Sequence, residues 1–346
     1  MRIRGFASLI ALVFVASTSA LTAGALADDV LVLNGAGATF PYPIYSKWFS
    51  VFHKLDAQVE INYQSIGSGG GIRQLLDRTV DFGASDAPMS DEELAKSQTP
   101  IIHIPTVLGA VVATYNVPGV EKSINLSSEV LADIFLGKIT KWDDAKIVKD
   151  NAGTQFPASP ILVVYRSDGS GTTSVFTDYL AKASPEWKSK VGAGKSVKWP
   201  SGLGGKGNEG VSGQVKQTPG AIGYVELIYA EQNKMSVAKI KNKAGQFIAP
   251  SSKSVTAAAN ASLKSIPKDF RVSIADADGK DSYPISSFTY LLIYSKMEAK
   301  KGKALAKFVD WAMADGQKMA ESMSYAPLPK SLITQVNARM KDLKTE

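Results

Sequence analysis

The residues best equipped for chemistry lie between Tyr165 and Ser174, which read Tyr-Arg-Ser-Asp-Gly-Ser-Gly-Thr-Thr-Ser. The apolar run Ile161–Val164 precedes them and a helical pattern follows, so the spacing predicts a strand, a tight glycine turn and an exposed helix N-terminus. Such a terminus carries unpaired N–H groups and a partial positive charge, which suits an oxyanion. Arg166 adds a cationic fork that Asp168 is placed to orient, and Ser170 and Thr172 add hydroxyl donors beside Gly171. Three further turns, at Thr39-Phe40, Ser68-Gly69 and Asp86, fall where a predicted strand hands over to a loop or helix. One glycine turn alone is usually only a turn, because glycine reaches φ > 0 at low steric cost. Several in one chain, most carrying Ser or Thr, point to a shared grip on a small tetrahedral anion.

Asp86 is the odd member, since a carboxylate in an anion pocket repels its ligand. It makes sense if the ligand brings a proton. Phosphate near neutral pH is partly protonated and its O–H can donate to Asp86, whereas sulfate has no such proton. A site built on one required hydrogen bond can reject the analogue lacking it by roughly 10⁴–10⁵. The competing reading of Asp86 is a helix or turn cap.

Strand, glycine turn and helix alternate along the chain, which predicts a parallel α/β sheet with ligands at the carboxyl ends of its strands. Val30–Leu33 reads as a strand, and Ile44, Tyr45, Trp48, Phe49 and Phe52 follow at helical spacing. Val59–Tyr63 is a second strand, with a helix over Ile72–Leu76. Asp81–Asp86 reads as a short strand ending in a turn, and Ser90 with Glu93 as a capping box. Ile101–Asn116 is almost continuously apolar, the mark of a strand buried on both faces. Beyond it the pattern predicts helix Glu129–Leu136, strand Ile161–Tyr165, helix Thr172–Ala183, strand Ala221–Val225, a β-rich run Ser286–Tyr294, and helices over Lys303–Met319 and Ser331–Leu343. The Gly-, Ser-, Lys- and Ala-rich stretches 190–216 and 245–265 read as long surface excursions.

The chain opens with Arg2 and Arg4, an apolar core from Phe6 to Ala16 and small residues ending Ala25-Leu26-Ala27. That is the pattern of a secretory leader over residues 1–27. No later run offers the ~18 unbroken apolar residues of a membrane span, so an exported, soluble chain is expected. Without cysteine it forgoes disulfides and depends on a large packed core, and 346 residues suffice for two domains of ~100–200 residues. The formal charge is +7, with lysines dispersed rather than clustered, so no nucleic-acid footprint is expected.

Two motifs are matched by spelling only. Gly205-Lys-Gly-Asn-Glu-Gly210 satisfies G-x-G-x-x-G without following a predicted strand, and Gly194-Lys195-Ser196 lacks the first glycine of a P-loop. Both read as flexible loops. No catalytic residue is expected, because His53 and His103 sit in apolar contexts and neither Ser68 nor Ser170 lies in a nucleophile elbow. With no thiolate and no acidic cluster at metal spacing, neither a metal nor another cofactor is expected.

Gly35-Ala-Gly-Ala-Thr-Phe-Pro, Ile66-Gly-Ser-Gly-Gly-Gly, Asp81-Phe-Gly-Ala-Ser-Asp-Ala-Pro, Arg166-Ser-Asp-Gly-Ser-Gly-Thr, Val197-Lys-Trp-Pro and Pro219-Gly-Ala-Ile-Gly-Tyr-Val-Glu run in that order. Together they resemble the periplasmic phosphate-binding proteins of the phosphate-specific (Pst) ABC transporter. The resemblance implies an α/β, two-domain periplasmic-binding-protein fold (type II-like), with hinge crossover strands and a central ligand cleft. It implies one domain of residues 28–107 with 290–346 and a second of 108–289. Phosphate would be bound by Thr39, Phe40, Ser68 and Asp86 from the first, and by Arg166, Ser170, Gly171 and Thr172 from the second, with Asp168 holding Arg166. The implied partners are inorganic phosphate and the membrane permease, with the receptor itself a monomer. Gly69 stands where some members carry a second serine, and residues 232–285 match more weakly. Apart from the resemblance, a sulfate or molybdate receptor, a secreted phosphatase using Ser170 or Asp168, and an adhesin on the same fold remain as rivals.

Overall fold

The strand–turn–helix alternation is realised from Leu31 onward. The computed structural model describes residues 30–346 apart from Glu121, so the leader expected over residues 1–27 lies outside the described residues. A nine-stranded sheet forms the frame. Its strands are β1 (Leu31–Gly37), β2 (Val59–Ser65), β3 (Phe82–Ser85), β4 (Ile101–Tyr115), β5 (Leu162–Arg166), β6 (Leu203–Gly205), β7 (Ala221–Glu226), β8 (Ser236–Val237) and β9 (Ser286–Tyr294). The order is β2-β1-β3-β9-β4-β7-β5-β6, with β8 beside β4.

The expected parallel sheet is therefore only half right. Pairing is parallel at both ends, where β1 joins β2 and β3, and β5 joins β6 and β7. It is antiparallel through the middle, where β9 pairs with β3 and β4, and β4 with β7. Strand β4 explains the mixture. All its residues are buried, and it spans both halves, pairing with β9 through Ala110 and with β7 from Val111. Each crossing strand therefore runs against one parallel set, β9 against β1–β3 and β4 against β5–β7.

The helices cover the sheet by burying one face each. In α1 (Tyr42–Leu55), Ile44, Tyr45, Trp48, Phe49 and Phe52 are buried, worth roughly 1.5–3 kcal/mol per side chain relative to exposure. Helix α2 (Ser68–Leu76) begins four residues earlier than the apolar pattern indicated. Its extra turn is glycine because the chain packs too closely for a side chain. A Cβ on Gly71 would lie 2.4 Å from the Ala36 oxygen and the Gly37 Cα. The capping box at Ser90 and Glu93 opens the short helix α3 (Asp91–Leu94) as expected. Helix α4 (Gly171–Ala183) follows β5 directly.

The two stretches read as surface excursions are corrected by the structure. Residues 207–217 form α5 (Gly207–Gln217), with Asn208, Val211, Ser212 and Val215 buried. Ser252–Ser262 is also a helix, buried through Val255, Ala258 and Ala259. In both, a few apolar residues at helical spacing outweigh the Gly, Ser and Lys around them. The expected helix over 303–319 is realised as Ala299–Ala314 with a 3₁₀ turn at Gly316–Met319, and the final expected helix as Lys330–Arg339.

Candidate anion-binding site

The carboxyl ends of β1, β3 and β5 and the N-termini of α2 and α4 converge where β4 and β9 cross the molecule. Arg166 ends β5 with its side chain almost wholly buried, held in two-point contact by Asp168. Arg166 Nε donates to Asp168 Oδ1 at 2.9 Å and Nη2 to Oδ2 at 2.6 Å. Burial alone would raise the Asp168 carboxyl, but the hydrogen bonds and charge of Arg166 outweigh it and hold the group below its ordinary value. The Gly207 N–H donates to the same Oδ1 at 3.0 Å. With Nε and Nη2 engaged, Nη1 is left for the interior, and it donates to Thr172 Oγ1 at 3.2 Å.

Ser170 caps α4, its Oγ accepting from the Thr173 N–H at 3.0 Å. The hydroxyl proton stays free to donate elsewhere. The Gly171 and Thr172 N–H groups have no carbonyl within the helix to bond and point out of its positive end. Helix α2 offers a second such end, since its cap residue Gly67, at φ +87°, supplies no side-chain cap. Ser68 Oγ accepts from the Asp86 N–H at 3.3 Å.

Asp86 is fully enclosed. Thr289 Oγ1 donates to its Oδ1 at 2.8 Å, while Oδ2 has no hydrogen-bond partner among the described residues. Burial pushes the carboxyl up to about 7, against the lowering from Thr289, the Arg166 charge and Ser68. A β-bulge beside Thr289 delivers this contact, because pairing with β4 slips from Thr289–Val107 to Tyr290–Pro105. The two halves meet tightly at this point. A Cβ on Gly171 would lie 2.3 Å from Ser68 Oγ and 2.4 Å from Asp86 Oδ2, so only glycine brings α4 this close. Beside it, the Gly69 N–H donates to the Gly169 oxygen at 2.9 Å, backbone against backbone. A cleft pocket of about 230 Å³ opens next to Asp86, bounded by Ser287, Pro88, Ser174 and Gly194.

Thr39 and Phe40 lie at the turn between β1 and α1, both buried. Their carbonyls are tied back by tyrosines that sequence reasoning missed. Tyr229 OH donates to the Thr39 oxygen at 2.5 Å, and Tyr325 OH to the Phe40 oxygen at 2.6 Å. Asn208 was missed as well. It is completely buried at the start of α5, and its Nδ2 lies 2.7 Å from Thr39 Oγ1. Glu226 is the fourth missed group, a buried carboxyl whose Oε2 accepts from the Ile228 N–H and whose Oε1 has no partner among the described residues. Burial raises it well above its ordinary value, against the lowering from the Ile228 N–H.

All eight residues named from the sequence, with Asp168 behind them, are thus buried along one interface. Neither spelled motif is a free loop. Gly205–Gly210 spans the end of β6 and the first turn of α5, and it presents Gly207 and Asn208 to the site. Lys195 reaches across to Glu93, with Nζ 2.8 Å from Oε2, while its carbonyl accepts the Ser170 N–H. The histidines have partners after all. His103 Nε2 accepts from the Met89 N–H at 3.1 Å, and His53 Nδ1 lies 2.8 Å from the Val59 oxygen. Among the described residues no cluster of His, Asp and Glu is arranged to hold a metal, and no helix is long and apolar enough to cross a membrane.

Residues 16–315 match the PBP superfamily domain. The phosphate-binding protein PstS of Pasteurella multocida is 47% identical over 338 residues, 97% of this chain and 95% of that protein. The PstS protein of Haemophilus influenzae is 44% identical over 312 residues, 89% and 92% of the two chains. Among solved structures, a high-affinity periplasmic phosphate-binding protein (PfluDING) with phosphate bound superposes with a TM-score of 0.72. The two are 25% identical, covering 89% of this chain and 93% of the other. With a two-domain periplasmic-binding-protein architecture and relatives this similar over nearly its whole length, the chain belongs to the PstS family of phosphate-binding proteins within the PBP superfamily.

Proposed function

We propose that this protein captures inorganic phosphate between its two halves and delivers it to the permease of an ABC transporter. The observation that carries the reading is Asp86. Among the described residues, an anion pocket lined with donors contains a buried carboxyl oxygen without a partner, and while that carboxyl is ionised a ligand bringing its own proton satisfies both. Phosphate does so: Asp86 and the anion share one proton, and the remaining oxygens accept from the donors around them. Those donors are the N–H groups of Phe40 and Gly171, the hydroxyls of Thr39, Ser68, Ser170 and Thr172, and Arg166. One cation with many neutral donors balances the buried charge without leaving it unpaired.

The halves act as domains of residues 28–107 with 290–346 and of residues 108–289, hinged at β4 and β9. Phosphate bridges them and favours the closed arrangement, which the permease reads. Capture and release, not turnover, are the activity, and the leader pattern of residues 1–27 directs the receptor to the periplasm. The test has two arms. Protein freed of phosphate by unfolding and refolding is dialysed against phosphate, with an expected occupancy of one per chain. Uptake into vesicles carrying the permease should then require the loaded protein. Absent occupancy, or uptake indifferent to the protein, would overturn the reading.

A further inference from the structure

The segment Gly205–Gly210 spells a nucleotide-binding pattern that the function does not use, yet it places Asn208 at the centre of the site. Which way its amide faces is fixed by its surroundings. The Glu226 backbone N–H lies 3.0 Å from one amide atom, and a backbone N–H can only donate. That atom is therefore Oδ1, and Nδ2 faces the two site threonines. Nδ2 lies 2.7 Å from Thr39 Oγ1 and 3.4 Å from Thr172 Oγ1. Thr39 Oγ1 also receives the Asn208 backbone N–H at 3.3 Å, and Thr172 Oγ1 receives Arg166 Nη1 at 3.2 Å. A hydroxyl oxygen has two acceptor positions and one proton. Both positions are taken on each threonine.

We propose that Asn208 is a positioning residue that sets the polarity of the Thr39 and Thr172 hydroxyls, turning both into obligate donors toward the anion. The inference rests on the phosphate reading and deepens it. With these hydroxyls unable to accept, a proton on the ligand finds no acceptor at either threonine and is directed to Asp86. One amide therefore fixes how the anion is oriented as well as how tightly it is held. The contact also joins the proposed halves, Asn208 on one and Thr39 on the other, so it forms as they close. Glu226 supports the arrangement through its backbone N–H alone.

The test is a set of phosphate titrations on phosphate-stripped wild type, Asn208→Ala, Thr39→Val and the double variant, with thermal unfolding of each ligand-free protein as the structural control. Asn208→Ala should weaken phosphate binding about 10- to 100-fold, as expected for loss of hydrogen bonds that orient two donors. Because Asn208 acts through Thr39, the double variant should bind no more than about threefold more weakly than the worse single variant. Asn208→Asp keeps the volume and the acceptor for the Glu226 N–H but removes the donor, and it should bind worse than Asn208→Ala. Should the added carboxylate prevent folding, the alanine cycle decides alone. Losses that multiply in the double variant, or Asn208→Ala binding within threefold of wild type, would overturn the inference while leaving the phosphate reading intact. A wild type that binds no phosphate would remove both.

Discussion

Replacing Asp86 by Asn should make the ligand-free protein more stable while crippling its selection. The magnitude follows from the buried carboxyl. An aspartate ordinarily titrates at 3.8, and this one is pushed up to about 7, chiefly by burial. The folded state therefore holds the proton more tightly than the unfolded state, and wild-type stability falls as pH rises from about 4 to about 7. At about 1.4 kcal/mol per pH unit, the ionised carboxylate costs the ligand-free protein roughly 4 kcal/mol at pH 8. Asparagine has the same shape, can accept from Thr289 and never ionises. Asp86→Asn should match wild type near pH 4 and exceed it by roughly 4 kcal/mol at pH 8, about 6 °C in Tm for a chain of this length. Thermal unfolding of both phosphate-free proteins between pH 4 and pH 8 reads this directly. Equal stability at pH 8 would mean that the carboxylate is well solvated or paired in the folded protein, and the argument for a shared proton would lose its basis.

Sulfate discrimination should shrink on acidification, because Asp86 gains its own proton below about pH 7 and can then donate to sulfate; competition titrations should show relative sulfate affinity rising roughly tenfold from pH 8 to pH 6. Gly171→Ala should abolish tight binding, by 100-fold or more (about 3 kcal/mol), because the new methyl occupies the space of Ser68 Oγ and Asp86 Oδ2; unchanged phosphate affinity would contradict the close approach of α4. Glu93→Gln removes the charge partner of Lys195 across the interface, which is partly exposed, so stopped-flow release should accelerate only a few-fold and less at high salt. His103, neutral and held down to about 4 mainly by burial, should weaken the fold as pH falls from about 6.5 toward 4, by roughly 3 kcal/mol; His103→Gln should flatten that part of a urea-unfolding pH series.

The anion grip was legible in the sequence because each part is local. A strand end, a glycine turn and a helix N-terminus occupy fewer than a dozen residues, and Arg166 to Thr172 carries all of them. The capping box at Ser90 and the buried strand Ile101–Tyr115 were legible for the same reason. What the sequence hid is long-range. Asn208 reaches Thr39 across 169 positions and Tyr325 reaches Phe40 across 285, and nothing in their neighbourhoods marks them. The antiparallel middle of the sheet was equally hidden, since β9, which begins only at Ser286, returns to pair with β4, which ends at Tyr115. Helix α5 was masked by composition: Gly207, Gly210, Gly213 and Lys216 give it the spelling of a loop, while Val211 and Val215 hold it in the core. The proposed domain division rests on β4 and β9 rather than on any linker, because both crossings are buried strands.

The most direct test is calorimetric titration of the phosphate-stripped wild-type protein at pH 8 with phosphate and, separately, with sulfate. At that pH Asp86 is largely ionised in the empty site, so discrimination is at its strongest. Tight one-to-one phosphate binding, with sulfate weaker by roughly 10⁴ or silent, is the result expected of a site that demands a proton from its ligand. Sulfate binding within tenfold of phosphate would contradict it.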